Sequence, residues 1–231
     1  MPTASLTTKG QITIPAAVRA SLGLVNGSRV EFVESANGQF LIMAATKPVQ
    51  ALKGLLRKPG NAITIDEMNQ IIAAAGAGPK TGAGLKSRDE NLLAEIDWPK
   101  LIGLDTNVIV RYLAQDDAVQ SLKATQLIET LTQEDLGFIT MVSIVELMWV
   151  MQGCYKATKV ECVAILNTLL RTQTIIIENA DIVIKALNIY SKSNADFADC
   201  LIERCASQAK CEHVMTFDIN AAKTTNMLLI K

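Results

Sequence analysis

Four carboxylates in the second half of the chain occupy positions where acidic side chains can do chemistry together. Asp105 directly follows one predicted strand, and Asp218 directly follows another. Glu146 and Asp199 each lie in the first turn of a predicted helix. Ligands of parallel sheets bind at the carboxyl ends of the strands, and the helices start near that edge, so we expect the four carboxylates to converge.

A cluster of this kind favours a metal centre. Like charges repel each other by roughly 1 kcal/mol or more per close pair at an effective dielectric constant of about 20, and a divalent cation relieves that repulsion. Oxygen ligands without histidine or cysteine favour Mg²⁺ or Mn²⁺ over zinc. Such a metal suits phosphodiester hydrolysis, because it neutralises phosphate charge and activates a water molecule. The side chains expected to orient the carboxylates or hold waters are Thr106, Asn107, Asp196 and Thr216.

Each acid also has a purely structural interpretation. Asp105 and Asp196 are good helix N-caps, and Asp218 is a typical turn residue. Ser143 and Glu146 have the spacing of a capping box. It is the joint placement of the acids that favours the metal centre over these alternatives.

The composition narrows the chemistry further. The 231 residues contain a single histidine, His213, which argues against a serine or cysteine nucleophile paired with a histidine base. The five cysteines are odd in number and contain no pair at two-residue spacing, so we interpret them as reduced core residues. The chain shows no signal segment and no apolar run of about 18 residues, which predicts a cytoplasmic protein without a membrane span.

Alternating strand and helix patterns position the acids over the second half of the chain. Strands are predicted at 101–104, 137–140, 174–177 and 213–217. Helices are predicted at 108–113, 118–131, 144–151, 159–170, 182–190 and 197–209. This order predicts an α/β fold with a mostly parallel sheet and helices on both faces.

The first half of the chain differs in charge and pattern. Residues 1–76 carry seven Lys/Arg against four Asp/Glu, whereas residues 100–231 carry twelve against fifteen. Alternating runs predict short strands at 11–14, 29–33 and 39–43, and Pro15 and Gly23 bracket a helix between the first two runs. So short a unit cannot close a core alone, so we expect it to pair with a second copy.

Two further amphipathic helices are predicted at 49–56 and 66–74. Their leucines and isoleucines have no core of their own, so we expect this arm to lie on a partner surface. Small residues and glycines from 73 to 84 predict a linker, and a short polar helix at 87–96 can follow it.

These motifs resemble two protein families. The second half resembles a VapC-type PIN-domain toxin over residues 101–226. The motifs that carry this resemblance are Gly103-Leu104-Asp105-Thr106-Asn107, the Ser-x-x-Glu start ending at Glu146, Asp196-Phe197-Ala198-Asp199 and Thr216-Phe217-Asp218. The first part of the chain resembles an AbrB/SpoVT-type antitoxin of the VapB class over residues 3–75. The motif that carries this resemblance is Thr7-Thr8-Lys9-Gly10-Gln11-Ile12-Thr13-Ile14-Pro15, followed by Arg19 and Leu22-Gly23.

The resemblance implies a PIN domain at 100–231, preceded by a swapped-hairpin AbrB-type domain at 1–46, a toxin-binding arm at 47–76 and a linker at 77–99. It implies a Mg²⁺-dependent (or Mn²⁺-dependent) endoribonuclease in which Asp105, Glu146, Asp199 and Asp218 are the catalytic and metal-binding acids. It also implies a homodimer or higher homo-oligomer through both domains, and a head that binds operator DNA through Thr7, Thr8, Lys9, Gln11 and Arg19.

Charge suggests how the arm would inhibit the nuclease. Leu52, Leu55 and Leu56 would dock in an apolar groove and place Arg57 or Lys58 near the acids, where a cation replaces the metal's charge. The arm could act on its own body or on that of a neighbouring chain.

Other functions are compatible with parts of the pattern. A haloacid-dehalogenase-like phosphatase requires an acid where Asn107 stands, and a receiver domain requires a lysine near the last strand, so both are disfavoured. A DNA nuclease remains open, because carboxylate and metal chemistry does not itself recognise the 2′-hydroxyl. The main alternative is a DNA-binding transcriptional repressor whose body is a catalytically silent oligomerisation module.

Overall fold

The structure is a computed structural model that describes residues 2–34, 40–75 and 100–231. The body contains a parallel sheet in the order β3-β4-β5, formed by β3 (Lys100–Gly103), β4 (Asp135–Ile139) and β5 (Ile175–Ile177). Gly103 pairs with Phe138, and Phe138 pairs with Ile176. The predicted α/β architecture with a central parallel sheet flanked by helices is confirmed.

Six helices accompany the body's sheet, and all except the fifth begin at a side-chain cap. They are α3 (Thr106–Ala114), α4 (Ala118–Glu129), α5 (Met141–Gly153), α6 (Lys159–Leu170), α7 (Ala180–Lys192) and α8 (Phe197–Gln208). Asp117 caps α4 by accepting from two backbone amides, and Thr158 with Glu161 forms a complete capping box on α6. Side-chain caps of this kind satisfy amides that the helix itself leaves unpaired.

The last strands form a separate sheet. β6 (Val214–Thr216) pairs in parallel with β7 (Met227–Leu229), and the short helix α9 (Ile219–Thr224) connects them. Neither α9 nor β7 was predicted. Within the described residues β6 does not pair with β3, so the expectation that Asp105 and Asp218 follow strands of one sheet is wrong.

The head is built from α1 (Ala16–Leu22) and a hairpin of β1 (Arg29–Glu34) and β2 (Phe40–Ala45). Gly23 ends α1 in the left-handed conformation at φ 66°, as its C-cap role requires. The predicted strand at 11–14 is reduced to one antiparallel bridge between Leu6 and Ile12. The buried side chains of the hairpin include Val33, whereas the described residues of α1 contain no buried side chain.

The arm follows the hairpin. Its first predicted helix is only a 3-10 helix, Val49–Leu52, after which the chain turns at Lys53 and Gly54. Its second is α2 (Ile65–Ala74), with a capping box formed by Thr64 and Glu67. The polar helix expected at 87–96 and most of the linker lie outside the described residues.

One continuous apolar core joins arm and body. It contains Leu52 and Met68 of the arm together with Leu113, Ile144 and Leu166 of the body. The cysteines are unpaired; Cys162 and Cys200 lie in this core, whereas Cys211 is exposed, contrary to the expectation that all would be core residues. Among the described residues, no helix has the length and apolar character needed to cross a membrane.

Candidate active site and the docked arm

Glu146 is the most buried of the predicted catalytic acids, with 4% of its surface exposed. The hydroxyl of Thr106, the first residue of α3, donates a 2.7 Å hydrogen bond to Glu146 Oε2. Thr140, not Ser143, is the N-cap of α5, so the capping-box interpretation of Glu146 is wrong. Glu146 is therefore not needed to start its own helix, and its role as a metal ligand stays a prediction.

Asp105 caps α3, as its structural interpretation predicts. Its Oδ2 accepts from the amide and from the side-chain nitrogen of Asn107, at 3.3 and 3.2 Å. Asn107 Oδ1 is buried and has no hydrogen-bond partner among the described residues. Because buried polar atoms normally have partners, this atom marks a place where a further polar group fits beside Asp105.

Asp196, Asp199 and Asp218 form a second group of acids. Burial raises the pKa of Asp199, and the negative charges of Asp196 and then Asp218 raise it further. Asp196 Oδ1 accepts from the Phe197 amide that starts α8. Asp218 caps α9, and its own amide donates to Thr216 Oγ1 at 3.0 Å.

The predicted acids are therefore only partly brought together. The charges of Asp196 and Asp218 act on Asp199. Separately, Glu146 accepts a hydrogen bond from Thr106, the residue after Asp105. In the described part of the chain, no three His, Cys, Asp or Glu side chains are close enough to hold one ion. Asp105 and Asp218 follow strands that belong to separate sheets, so strand pairing does not align them at one edge.

The chemistry of the donors nevertheless fits a hard divalent cation. All the candidate ligands are carboxylate oxygens, which suit Mg²⁺ or Mn²⁺. The mutual repulsion around Asp199 and the unpartnered Asn107 Oδ1 are both features that a cation or its waters would relieve. The residue types fit the group, whereas their present spacing does not form a ligand set.

A cavity of about 780 Å³ opens beside the second group of acids. Asp196 and Asp199 line it together with Trp149 of α5 and Ala75, which follows α2 of the arm. Trp149 was not singled out in the sequence, although it lies three residues after Glu146 and thus on the same side of α5. The cavity joins an aromatic face, two acids and the end of the arm.

The arm packs closely on the body. Met68 and Ile72 of α2 are buried, and α2 packs against α5. A Cβ added at Gly153 would lie 2.6 Å from Ile71 Cγ2, so α2 approaches α5 at a position where only a hydrogen fits. In the part of the arm before α2, the Gly54 amide donates to the Tyr112 carbonyl and the Leu56 amide donates to the Leu113 carbonyl.

The predicted inhibitory residues divide into two sets. Leu52 and Leu56 are buried against the body as expected, whereas Leu55 is largely exposed. Arg57 and Lys58 line a cavity with Glu161 at the start of α6. The pKa of Glu161 is lowered first by hydrogen bonds from Thr158 and only slightly by the charge of Arg57.

The described surroundings of Arg57 and Lys58 are thus the start of α6 and not the predicted acids. The chain turns at Lys53 and Gly54 before it reaches them, so the helix predicted over 49–56 does not form.

The predicted DNA-contacting residues Thr7, Thr8, Lys9, Gln11 and Arg19 are all exposed. The Thr7 amide donates to the Gln11 carbonyl and the Gln11 amide donates to Thr7 Oγ1. These bonds close a turn through Gly10, whose φ is 73°. Lys9 therefore projects from a tight turn, which is a suitable position for a phosphate contact.

Comparison with known proteins agrees with this division. Residues 102–226 match the PIN domain family, and residues 4–51 match the family described as antidote-toxin recognition MazE, bacterial antitoxin. A VapC ribonuclease of Aquifex aeolicus (strain VF5) is 26% identical over 116 residues, which are 49% of this chain and 84% of that protein. No solved structure matches. The N-terminal match to an antitoxin family, next to a region similar to a VapC ribonuclease, supports a toxin–antitoxin fusion, and the chain belongs to the PIN domain family.

Proposed function

We propose that this fusion is a metal-dependent endoribonuclease that its own arm keeps inactive and whose head binds operator DNA. The nuclease would occupy residues 100–231, the arm 47–76 and the DNA-binding domain 1–46, with a linker at 77–99. We place the protein in the cytoplasm, where its RNA substrate and operator would be found.

The carboxylates are the proposed catalytic centre. Asp105, Glu146, Asp199 and Asp218 would hold Mg²⁺ or Mn²⁺, which when bound supplies charge for the RNA phosphate and acidifies a water. Thr106 fixes the Glu146 carboxylate through its 2.7 Å hydrogen bond. Burial raises the pKa of Asp199, and the charges of Asp196 and Asp218 raise it further, so a cation beside Asp199 would relieve an unfavourable negative charge.

The observation that carries the proposed inhibition is the position of the arm's end. Ala75 lines the same cavity as Asp196, Asp199 and Trp149. A cavity of about 780 Å³ is large enough for a nucleotide, since pockets for ligands of that size span roughly 300 to 1,000 Å³. This shared cavity supports the proposal that the arm would obstruct the approach of RNA to these acids.

The first experiment compares the full chain with residues 100–231 alone in Mg²⁺, using a panel of single-stranded RNAs. We expect the isolated body to cleave and the full chain to remain at least tenfold slower. Equal cleavage by both would contradict inhibition by the arm, and no cleavage by either would contradict the proposed nuclease.

A substitution tests the catalytic centre. Asp105→Asn should reduce cleavage by the body roughly 100-fold or more without unfolding it, because the side chain can still cap α3 but loses its charge. Asp117→Asn is the matched control, since Asp117 caps α4 in the same way and lies outside the proposed centre. A similar loss in both variants would mean that capping, not catalysis, explains the effect.

The alternative function also has support. The acids do not form a three-ligand group within the described residues, which is what a catalytically silent module of a DNA-binding repressor would show. Gel-shift assays with operator DNA together with the cleavage assay distinguish the two functions. DNA binding without cleavage under any metal condition would favour the repressor.

A further inference from the structure

A buried ion pair lies where the arm meets the body. Arg111 of α3 and Asp116 form it with a distance of 2.8 Å between Nη1 and Oδ1, and their side chains are only 3% and 0% exposed. The Tyr155 hydroxyl donates to Asp116 Oδ2 at 2.9 Å, and Arg111 Nε donates to Gln120 Oε1 at 2.7 Å. These four side chains all belong to the body, so the body alone supplies the geometry of the pair.

One residue of the arm completes this network through its main chain. The Ile63 amide donates to Asp116 Oδ2 at 3.0 Å. The Ile63 carbonyl accepts from Arg111 Nη2. The amide and the carbonyl of Ile63 are thus both hydrogen-bonded on the same side of the chain, as they are for a residue in a β-sheet. Here the side chains of Asp116 and Arg111 take the place of the neighbouring strand.

The charge of the pair makes these two contacts strong. Burial alone would raise the pKa of Asp116, but the hydrogen bonds from the Ile63 amide, Tyr155 and Arg111 outweigh burial and lower it. Hydrogen bonds to charged groups are stronger than neutral ones, and a buried charge that loses a partner is strongly destabilised. Removing Ile63 would take one partner from each member of the pair.

We propose that Arg111, Asp116 and Tyr155 form a main-chain receptor for the extended segment before α2, and that release of Ile63 from this receptor is the step that frees the arm. The occupant is the arm of this chain. The same segment of a second copy has the same main chain and therefore fits the same receptor. This inference rests on the proposed inhibition by the arm and names the contacts that control it.

The contact between Ile63 and the receptor also positions the helix that follows it. The Ile63 side chain is partly buried and packs against the core, and its main chain makes both contacts with the ion pair. Thr64, the next residue, caps α2 by accepting from the Glu67 amide. Holding Ile63 therefore sets the start of α2, whose buried Met68 and Ile72 then lie on α5.

The test uses the full chain and a substitution in the arm, which leaves the body unchanged. Ile63→Pro removes the donor to Asp116, and Ile63→Val retains it as the matched control. We expect hydrogen exchange of the α2 amides to be roughly 10- to 100-fold faster in Ile63→Pro than in Ile63→Val, because the lost bond is to a buried charge. Equal exchange in both variants would overturn the receptor.

A second variant acts from the side of the body. Tyr155→Phe deletes only the hydroxyl that donates to Asp116, and we expect exchange of the α2 amides to rise about threefold to tenfold. Exchange at the level of the unsubstituted chain would count against the receptor. This variant also controls for the backbone restriction that proline places on residue 62.

The exchange measurement separates this inference from the proposed function. Faster exchange in Ile63→Pro without RNA cleavage by any form of the protein would support the receptor and overturn the nuclease. Cleavage by the isolated body with unchanged exchange in Ile63→Pro would support the nuclease and overturn the receptor.

Discussion

The arm and the head are neighbours in sequence, yet their apolar side chains are covered very differently. Met68 of the arm is 0% exposed, whereas Phe40 of the head is 62% exposed. Phe32 of the head is also exposed. It lies on the same face of the hairpin as Phe40, because Phe40 pairs with Glu34 and Phe32 is two residues before Glu34 on the same strand. The body of the same chain covers the arm and also one side of the hairpin, where Val33 lies in the shared core, whereas the hairpin face that carries Phe32 and Phe40 is uncovered.

The difference indicates two kinds of association in one molecule. Arm docking is intramolecular and does not depend on protein concentration. The pairing of two heads that we propose would be intermolecular and would depend on it. Substitutions should therefore affect one association without the other.

The largest effect is expected for Met68→Asp, which places a charge in the apolar interface between α2 and α5. We expect the docked arm to lose about 3 kcal/mol or more, because the charge must leave the core. Hydrogen exchange of α2 should approach the rate of an unprotected helix, and RNA cleavage by the full chain should rise. Asn69→Asp adds the same charge at the next, exposed position and should change neither measurement.

The next effect is expected for Gly153→Ala, since the added methyl group meets Ile71 Cγ2 at 2.6 Å. Overpacking of this kind costs about 1 to 3 kcal/mol of arm docking. In an Ile71→Ala background the cost should fall to near zero, because the clashing atoms are gone. A cost of the same size in both backgrounds would show that the close approach of α2 to α5 does not matter.

In the head, replacing Phe32 and Phe40 by serine should weaken the dimer roughly 10- to 100-fold, because each ring would be buried against the second copy. Sedimentation velocity at several concentrations measures this change. Exchange of α2 should stay at the level of the unsubstituted chain. A simultaneous loss of arm protection would break the distinction between head and arm.

The smallest effect is expected for Lys53→Ala. Lys53 bridges to Glu129 of the body at 3.1 Å, but both side chains are partly exposed to solvent. An exposed ion pair contributes only about 0 to 1 kcal/mol, so exchange of the arm should change less than fivefold. A larger effect would mean that surface charges hold the arm as well as its buried contacts do.

Sequence patterns predicted the body's elements well, because strong periodicity and caps define them. The helix expected at 159–170 is α6, Lys159–Leu170, with the capping box of Thr158 and Glu161 in place. In the head, proline and glycine marked both ends of α1 (Ala16–Leu22). Local signals of this kind do not require knowledge of distant residues.

Features that depend on distant partners could not be predicted in the same way. The alternation of strands and helices does not determine which strands pair, so the separation of β6 from β3 was missed. The contact of Ile63 with Arg111 spans 48 residues and uses the main chain of Ile63, which leaves no mark in its residue type. The apolar residues at 49–56 indicated the burial of Leu52 and Leu56 correctly, but not the exposure of Leu55 or the turn after Leu52.

The split sheet has a further consequence for the behaviour of the protein in solution. Leu101 and Ile102 on β3, and Met215 and Phe217 on or after β6, are exposed along strand edges that have no partner among the described residues. Unpaired apolar edges are templates for intermolecular strand addition. These strands contain only four and three residues, which keeps each template short and limits uncontrolled growth of aggregates. Colloidal stability of the purified protein should therefore depend more on these few edge residues than on its charged surface.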